Sequence, residues 1–103
     1  MKQVNVLRLS YLLSDSVWSQ VQFWSPFSQT IIGIRFVQCL DEITILLVQI
    51  KKMKKEEKAE SIKKIKLLIS ESLVWLDKSR RRRLINNEDY QNLYTQFKSL
   101  SIG

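Results

Sequence analysis

A chain of 103 residues that is 45% apolar and 26% charged has the composition of one small globular domain: it is too short for a second core, and at this size self-association would add useful buried area. It holds no histidine, which removes the commonest general base and transition-metal ligand, and a single cysteine, Cys39, which excludes an intrachain disulfide. Its formal net charge of +7 favours a polyanion over a small neutral substrate as partner.

Pro26, Gly33 and the final Gly103 are the only backbone breakers, so nothing interrupts the stretch from Ile34 to Ile102. Strand-rich domains need frequent Gly and Pro turns; their scarcity here, with abundant Leu, Ile, Lys, Gln and Glu, predicts long helices. The first helix reads from about Asn5 to Trp24, with Val6, Leu9, Leu13, Val17, Val21 and Trp24 recurring at spacings of three and four. Asn5 and Arg8 break up its start, so it does not read as a secretory signal. The Ser25-Pro26 step stops it, because the residue before a proline avoids the helical region.

A second helix is expected from Thr30, as N-cap, to about Lys52 or Lys55. Ile32, Phe36, Cys39, Ile43, Leu47 and Ile50 form its main stripe, while Ile34, Val37, Leu40 and Val48 occupy further faces. Such a helix is either the centre of a bundle or partly covered by another subunit, and Ile34, Val37 and Val48 are the candidate interface residues. Its longest uninterrupted apolar stretch, around Ile45–Val48, falls far short of the roughly 20 residues of a membrane span. The cytoplasm is therefore the default location.

The segment KKMKKEEK that follows has no turn residue. It allows either a hairpin or one long bent helix, and a compact domain favours the hairpin. The third helix then runs from about Glu57 to Arg81, with Ile62, Ile65, Ile69, Leu73 and Leu76 facing one way. Asn86, with Asp89 three positions on, caps a fourth, short helix that carries Tyr90, Leu93, Tyr94 and Phe97 to about Leu100.

Four segments carry a resemblance: LSDSVWSQVQFWSPFSQTIIG (Leu13–Gly33), DEI (Asp41–Ile43), ESLVWL (Glu71–Leu76) and LINNEDYQNLYTQFKSL (Leu84–Leu100). Together they resemble the family of small bacterial four-helix-bundle proteins. That family includes proteins encoded in intervening sequences of large-subunit ribosomal RNA genes and the accessory variability protein of diversity-generating retroelements. The resemblance implies an all-α, up-down-up-down four-helix bundle spanning residues 1–103, assembled as a ring-like homopentamer with a basic surface used on nucleic acid. Where intervening-sequence members commonly carry Asn-Ile-Ala-Glu-Gly, this chain reads ILLVQI (Ile45–Ile50), which keeps the retroelement type, with a reverse transcriptase as partner, in view.

No residues converge as acid, base or nucleophile. Asp41 and Glu42 are adjacent and so point to different faces of a helix, Gly33 has no glycine neighbour with which to build a phosphate loop, and no cofactor, metal site or enzymatic activity is expected. The positive charge is concentrated instead: residues 51–83 hold thirteen basic and five acidic side chains, while residues 1–50 hold three of each. Lys51, Lys52, Lys54, Lys55 and Lys58 crowd the connection between helices 2 and 3, and Arg80, Arg81, Arg82 and Arg83 close helix 3. Glu60 and Lys64 are spaced to pair on a solvated face. One or two cations suffice for a helix C-terminus, and four consecutive guanidiniums repel one another unless an anion is near, so the arginine run is the stronger phosphate candidate. Trp24 and Trp75 fall in core registers, Trp18 alone of the tryptophans is placed for exposure, and the Tyr90/Tyr94 pair reads as a helix-packing seam. The sequence thus points to a non-enzymatic accessory protein on structured RNA or an RNA–DNA hybrid. The alternative is an oligomeric module that docks on a partner protein such as a reverse transcriptase. Membrane association ranks last, because helices 1 and 3 direct their apolar faces into a bundle.

Overall fold

In a computed structural model that describes residues 5–100, every regular element is helical. Helix α1 (Val6–Val21) starts where Asn5 accepts a hydrogen bond from the Arg8 N–H at 3.0 Å, and it buries Ser10, Leu13, Ser14, Val17 and Val21 on one side. It stops three residues short of the expected Trp24. Its last carbonyls are taken by a side chain: Gln29 Nε2 donates to the oxygens of Val21 and Gln22 at 3.0 and 3.2 Å.

The next helix begins earlier than Thr30. Ser25 caps a single turn, α2 (Pro26–Ser28), with Pro26 in the first helical position, and a wide π turn over Gln29–Gly33 leads without a break into α3 (Ile34–Gln49). Thr30 lies inside this helix, and its hydroxyl donates back to the Pro26 carbonyl at 2.9 Å instead of capping anything. Ser-Pro is a start signal as well as a stop signal; here it starts α2, whereas α1 has already ended at Val21. At Gly33 an added Cβ would lie 2.5 Å from Val21 Cγ1, so glycine is what lets α1 and α3 approach this closely.

A 3-10 turn (Ile50–Lys52) and an extended Met53 separate α3 from α4 (Lys55–Arg81), so the connection is the hairpin rather than a continuous helix. Glu57 Oε1 accepts from the Lys54 N–H at 3.0 Å. That is the half of a capping box which can form, since lysine offers no acceptor. With 27 residues, α4 is about 40 Å long at 1.5 Å per residue, and it sets the 42 Å long dimension of the molecule. Asn86 caps α5 (Asn87–Ser99) by accepting from the Asp89 N–H at 2.7 Å.

These helices form a closed circuit of neighbours, α1 on α3, α3 on α4, α4 on α5 and α5 back on α1, each reversing direction at a short turn. Leu13, Val17, Phe36, Leu40, Ile43, Ile65 and Leu76 meet at the centre with at most 1% exposure, each contributing roughly 1.5 to 3 kcal/mol of burial. Cys39 is also fully buried, and burial pushes its thiol up to about 12, so it packs as a small hydrophobe. Every seam carries one polar cross-link. Ser10 and Thr44 share a hydroxyl bond (3.1 Å) between α1 and α3, and Gln20 donates to Asp89 (3.0 Å) between α1 and α5. Arg35 clamps Glu71 between α3 and α4, and Arg80 lies over Tyr90 between α4 and α5. Among the described residues, no helix is long and apolar enough to cross a membrane.

Candidate nucleic-acid interface

The length of α4 separates the two basic groups that the sequence offers together. Lys51 and Lys52 sit in the turn after α3, and Lys54, Lys55 and Lys58 at the start of α4, all exposed. Arg80, Arg81, Arg82 and Arg83 lie at the other end of the same helix, about 40 Å away. One copy of the chain therefore presents two basic ends, not one patch.

At the lysine end, Glu56, Glu57 and Glu60 are interleaved with the cations. The only ion pair there among the described residues joins Glu60 to Lys63 at 4.0 Å, not to Lys64 as the spacing implied. Both side chains are about four-fifths exposed (78% and 81%), and such a pair contributes almost nothing.

The arginine end is built differently, and its four members do four different things. Arg80 donates to Asp77 Oδ1 (2.9 Å), and its guanidinium lies 4.9 Å from the centroid of the Tyr90 ring; with 38% of its side chain exposed, it is a packing residue as much as a surface charge. Arg81 donates to the other Asp77 oxygen at 2.7 Å but is far more exposed. Between them the two guanidiniums hold the Asp77 carboxyl below its usual range. Arg81 is the last residue of α4, Arg82 is its C-cap, and Arg83 turns the chain with a positive φ of 60°. The Leu84 N–H then reaches back to the Ser79 carbonyl (2.9 Å) and the Arg83 N–H to the Arg80 carbonyl (3.0 Å). This is a Schellman turn with arginine where glycine ordinarily stands. Among the described residues, neither Arg82 nor Arg83 has a carboxylate partner, and both are exposed. Arg80 and Arg83 also line a polar hollow against Asn86 and Asn87.

One part of this end is not evident from the sequence. Tyr90 and Tyr94, one turn apart on α5, stack with centroids 5.9 Å apart and planes inclined by 21°. The Lys98 ammonium lies 5.8 Å from the Tyr94 ring on the next turn. Tyr90 does pack against the core, but Tyr94 is 37% exposed and belongs to the surface. The i, i+4, i+8 spacing of Tyr90, Tyr94 and Lys98 is the signal that points to it.

The candidate interface residues all lie on the outer side of the α1–α3 seam. Ile34 and Val48 are 53% and 44% exposed and Val37 is half-buried; Trp18, exposed as expected, stands beside Ile34 and Val37 at a hollow of about 450 Å³. Asp15 and Asp41 face each other across this seam. The Asp41 carboxyl is held above its usual range by partial desolvation and then by the Asp15 charge. Glu42, by contrast, is tied to Arg35 at 3.2 Å. Among the described residues, no three His, Cys, Asp or Glu side chains converge as a metal-binding group. Compared with known protein families, with curated proteins and with solved structures, the chain matches none.

Proposed function

We propose that the protein is a non-enzymatic, self-associating accessory protein that binds RNA through the phosphate backbone, with the α4–α5 corner as its principal binding surface. The observation that carries this reading is the pair Arg82 and Arg83: two exposed guanidiniums on a rigid helix-ending turn, with no internal carboxylate to satisfy them. The turn fixes where the two side chains leave the backbone, and the planar guanidinium fork suits bidentate phosphate binding. Arg81 adds to the corner, since its exposed bond to Asp77 is weak enough to exchange for a phosphate. The lysines at the far end supply long-range attraction. The family resemblance supports the same function, in structured RNA or an RNA–DNA hybrid, and with it a ring-like homopentamer that multiplies a modest site into an avid one.

The test is RNA affinity as a function of salt. Replacing Arg82 and Arg83 together with alanine should reduce the slope of log affinity against log salt by about 1.4 to 1.8, which is two phosphates at about 0.7 to 0.9 each. An unchanged slope would remove this corner as the phosphate site.

A second reading rests on the α1–α3 face. Ile34, Ile45, Val48, Tyr11 and Trp18 form an apolar surface there that one copy leaves uncovered. On this reading the chain is an oligomeric module that docks on a partner protein such as a reverse transcriptase.

A further inference from the structure

From the arrangement of α4 against α5 we infer that Tyr94 is a stacking face for an unpaired base, so that the preferred ligand is a single-stranded or looped segment of RNA; this rests on the nucleic-acid reading above. Arg80, Tyr90, Tyr94 and Lys98 make a four-membered column, with successive separations of 4.9, 5.9 and 5.8 Å. Its two ends are unlike. The lower end is closed: Tyr90 is half-buried against the core, and Arg80 beyond it is fixed by Asp77. The upper end is the more open one: Tyr94 is 37% exposed, and the side chain near its ring there, Lys98, is itself exposed, with its ammonium 5.8 Å from the centroid.

Competition for that face decides the ligand. A cation over an exposed ring is held by a factor of roughly 2 to 5, whereas a base stacked on an aromatic side chain gains on the order of 5- to 100-fold. A base therefore displaces Lys98 from the ring. Bases in a duplex already have both faces covered by their neighbours, so only an unpaired base can make this exchange. The geometry also joins this face to the phosphate site. Tyr94 lies seven residues along α5 from Asn87, about 10 Å from the corner that carries Arg82 and Arg83, which is the length of about three stacked nucleotides. The closed end of the column contributes rigidity: Tyr94 cannot tilt away from an incoming base while Tyr90 and Arg80 support it from behind.

The experiment is fluorescence anisotropy with labelled oligouridine and with an RNA duplex of equal length, comparing wild type, Tyr94→Leu, Tyr94→Phe and the Arg82/Arg83 double alanine variant. Tyr94→Leu keeps the bulk of an exposed side chain, and its thermal melt checks that the bundle is intact. It should bind the single strand about 5- to 100-fold more weakly, with the salt slope unchanged and duplex affinity unaltered, while Tyr94→Phe keeps wild-type affinity. Equal single-strand affinity for Tyr94→Leu and wild type, or an equal loss on the duplex, overturns the stacking face. If the double arginine variant loses its salt slope in that same experiment, the phosphate reading stands without it. Should wild-type protein bind neither RNA, both readings fall.

Discussion

On the nucleic-acid proposal, Arg83 is the residue at which stability and binding pull apart, and replacing it with glycine separates them. In the Schellman turn that ends α4, Arg83 holds φ at 60°, a region that costs a side chain bearing a Cβ roughly 1 to 2 kcal/mol and costs glycine almost nothing. Glycine gives back part of that advantage through the greater freedom of its unfolded chain, about 0.5 to 1 kcal/mol. The net expectation is a gain of about 0.5 to 1 kcal/mol. For a domain of this size that is a rise in Tm of roughly 2 to 6 °C, read by circular dichroism at fixed protein concentration because the proposed assembly would couple to stability. The two turn bonds, Leu84 N–H to Ser79 and Arg83 N–H to Arg80, are made by the backbone and survive the change. RNA binding should move the other way, with the salt slope falling by about 0.7 to 0.9 for the single phosphate that glycine cannot hold. A lower Tm for Arg83→Gly would refute the strain argument, and a higher Tm with an unaltered slope would refute the role of Arg83 on phosphate.

Glu71→Gln removes the charge from the α3–α4 clamp, in which Arg35 Nε and Nη2 donate to the two Glu71 oxygens at 2.6 and 2.8 Å and Trp75 Nε1 donates to one of them at 2.8 Å; chemical denaturation should report a loss of about 1 to 2 kcal/mol, discounted because 35 to 39% of both charged side chains faces solvent. The Arg35 guanidinium, and after it the Trp75 donor, hold the Glu71 carboxyl down at about 2 in the folded chain, so this contribution is complete above the ordinary carboxylate value of about 4.5 and is lost as pH falls towards 2; the glutamine variant should show a correspondingly flatter acid limb, and an identical limb would count against the clamp. Ile34→Asp places a charge on the exposed α1–α3 face, and light scattering should show a smaller particle at unchanged helical content; a wild type already monomeric at micromolar concentration would end the assembly proposal.

What is legible in the sequence is whatever depends on local periodicity. The burial of Leu13, Val17, Phe36, Ile43, Ile65 and Leu76 follows from apolar spacing, and the Asn86 cap follows from a short polar residue placed before an apolar run. Thr30 misleads because two polar residues compete for one cap, and the proline next to Ser25 starts a helix as readily as it ends one. Arg35 and Glu71 lie 36 positions apart, and their meeting depends on the rotational register of α3 against α4, which no local pattern encodes. The same holds for Arg80 over Tyr90: each residue reads as ordinary in its own helix, and only the antiparallel alignment of α4 and α5 makes them a column. Asp89 reads as part of a capping arrangement, yet its carboxylate is taken by Gln20 of α1 while Asn86 alone does the capping.

The separation of the two basic groups is legible in principle, since a helix from the lysine turn to the arginine run must hold them apart by its own length. At physiological ionic strength charges decouple beyond about 8 Å, so two groups about 40 Å apart attract a ligand independently. On the nucleic-acid reading they differ in kind. The lysine end is interleaved with Glu56, Glu57 and Glu60 and offers mobile point charges, whereas the arginine end is framed by a Schellman turn, an Asp77 bridge and the Tyr90 ring. Guanidiniums whose planar forks bind phosphate bidentately from a fixed turn set orientation, while mobile lysine point charges act mainly on the rate of encounter. A short oligonucleotide then engages the arginine end alone. An RNA long enough to span α4, or a ring that brings the lysine end of one copy near the arginine end of the next, engages both ends and binds with avidity rather than through a stronger single site.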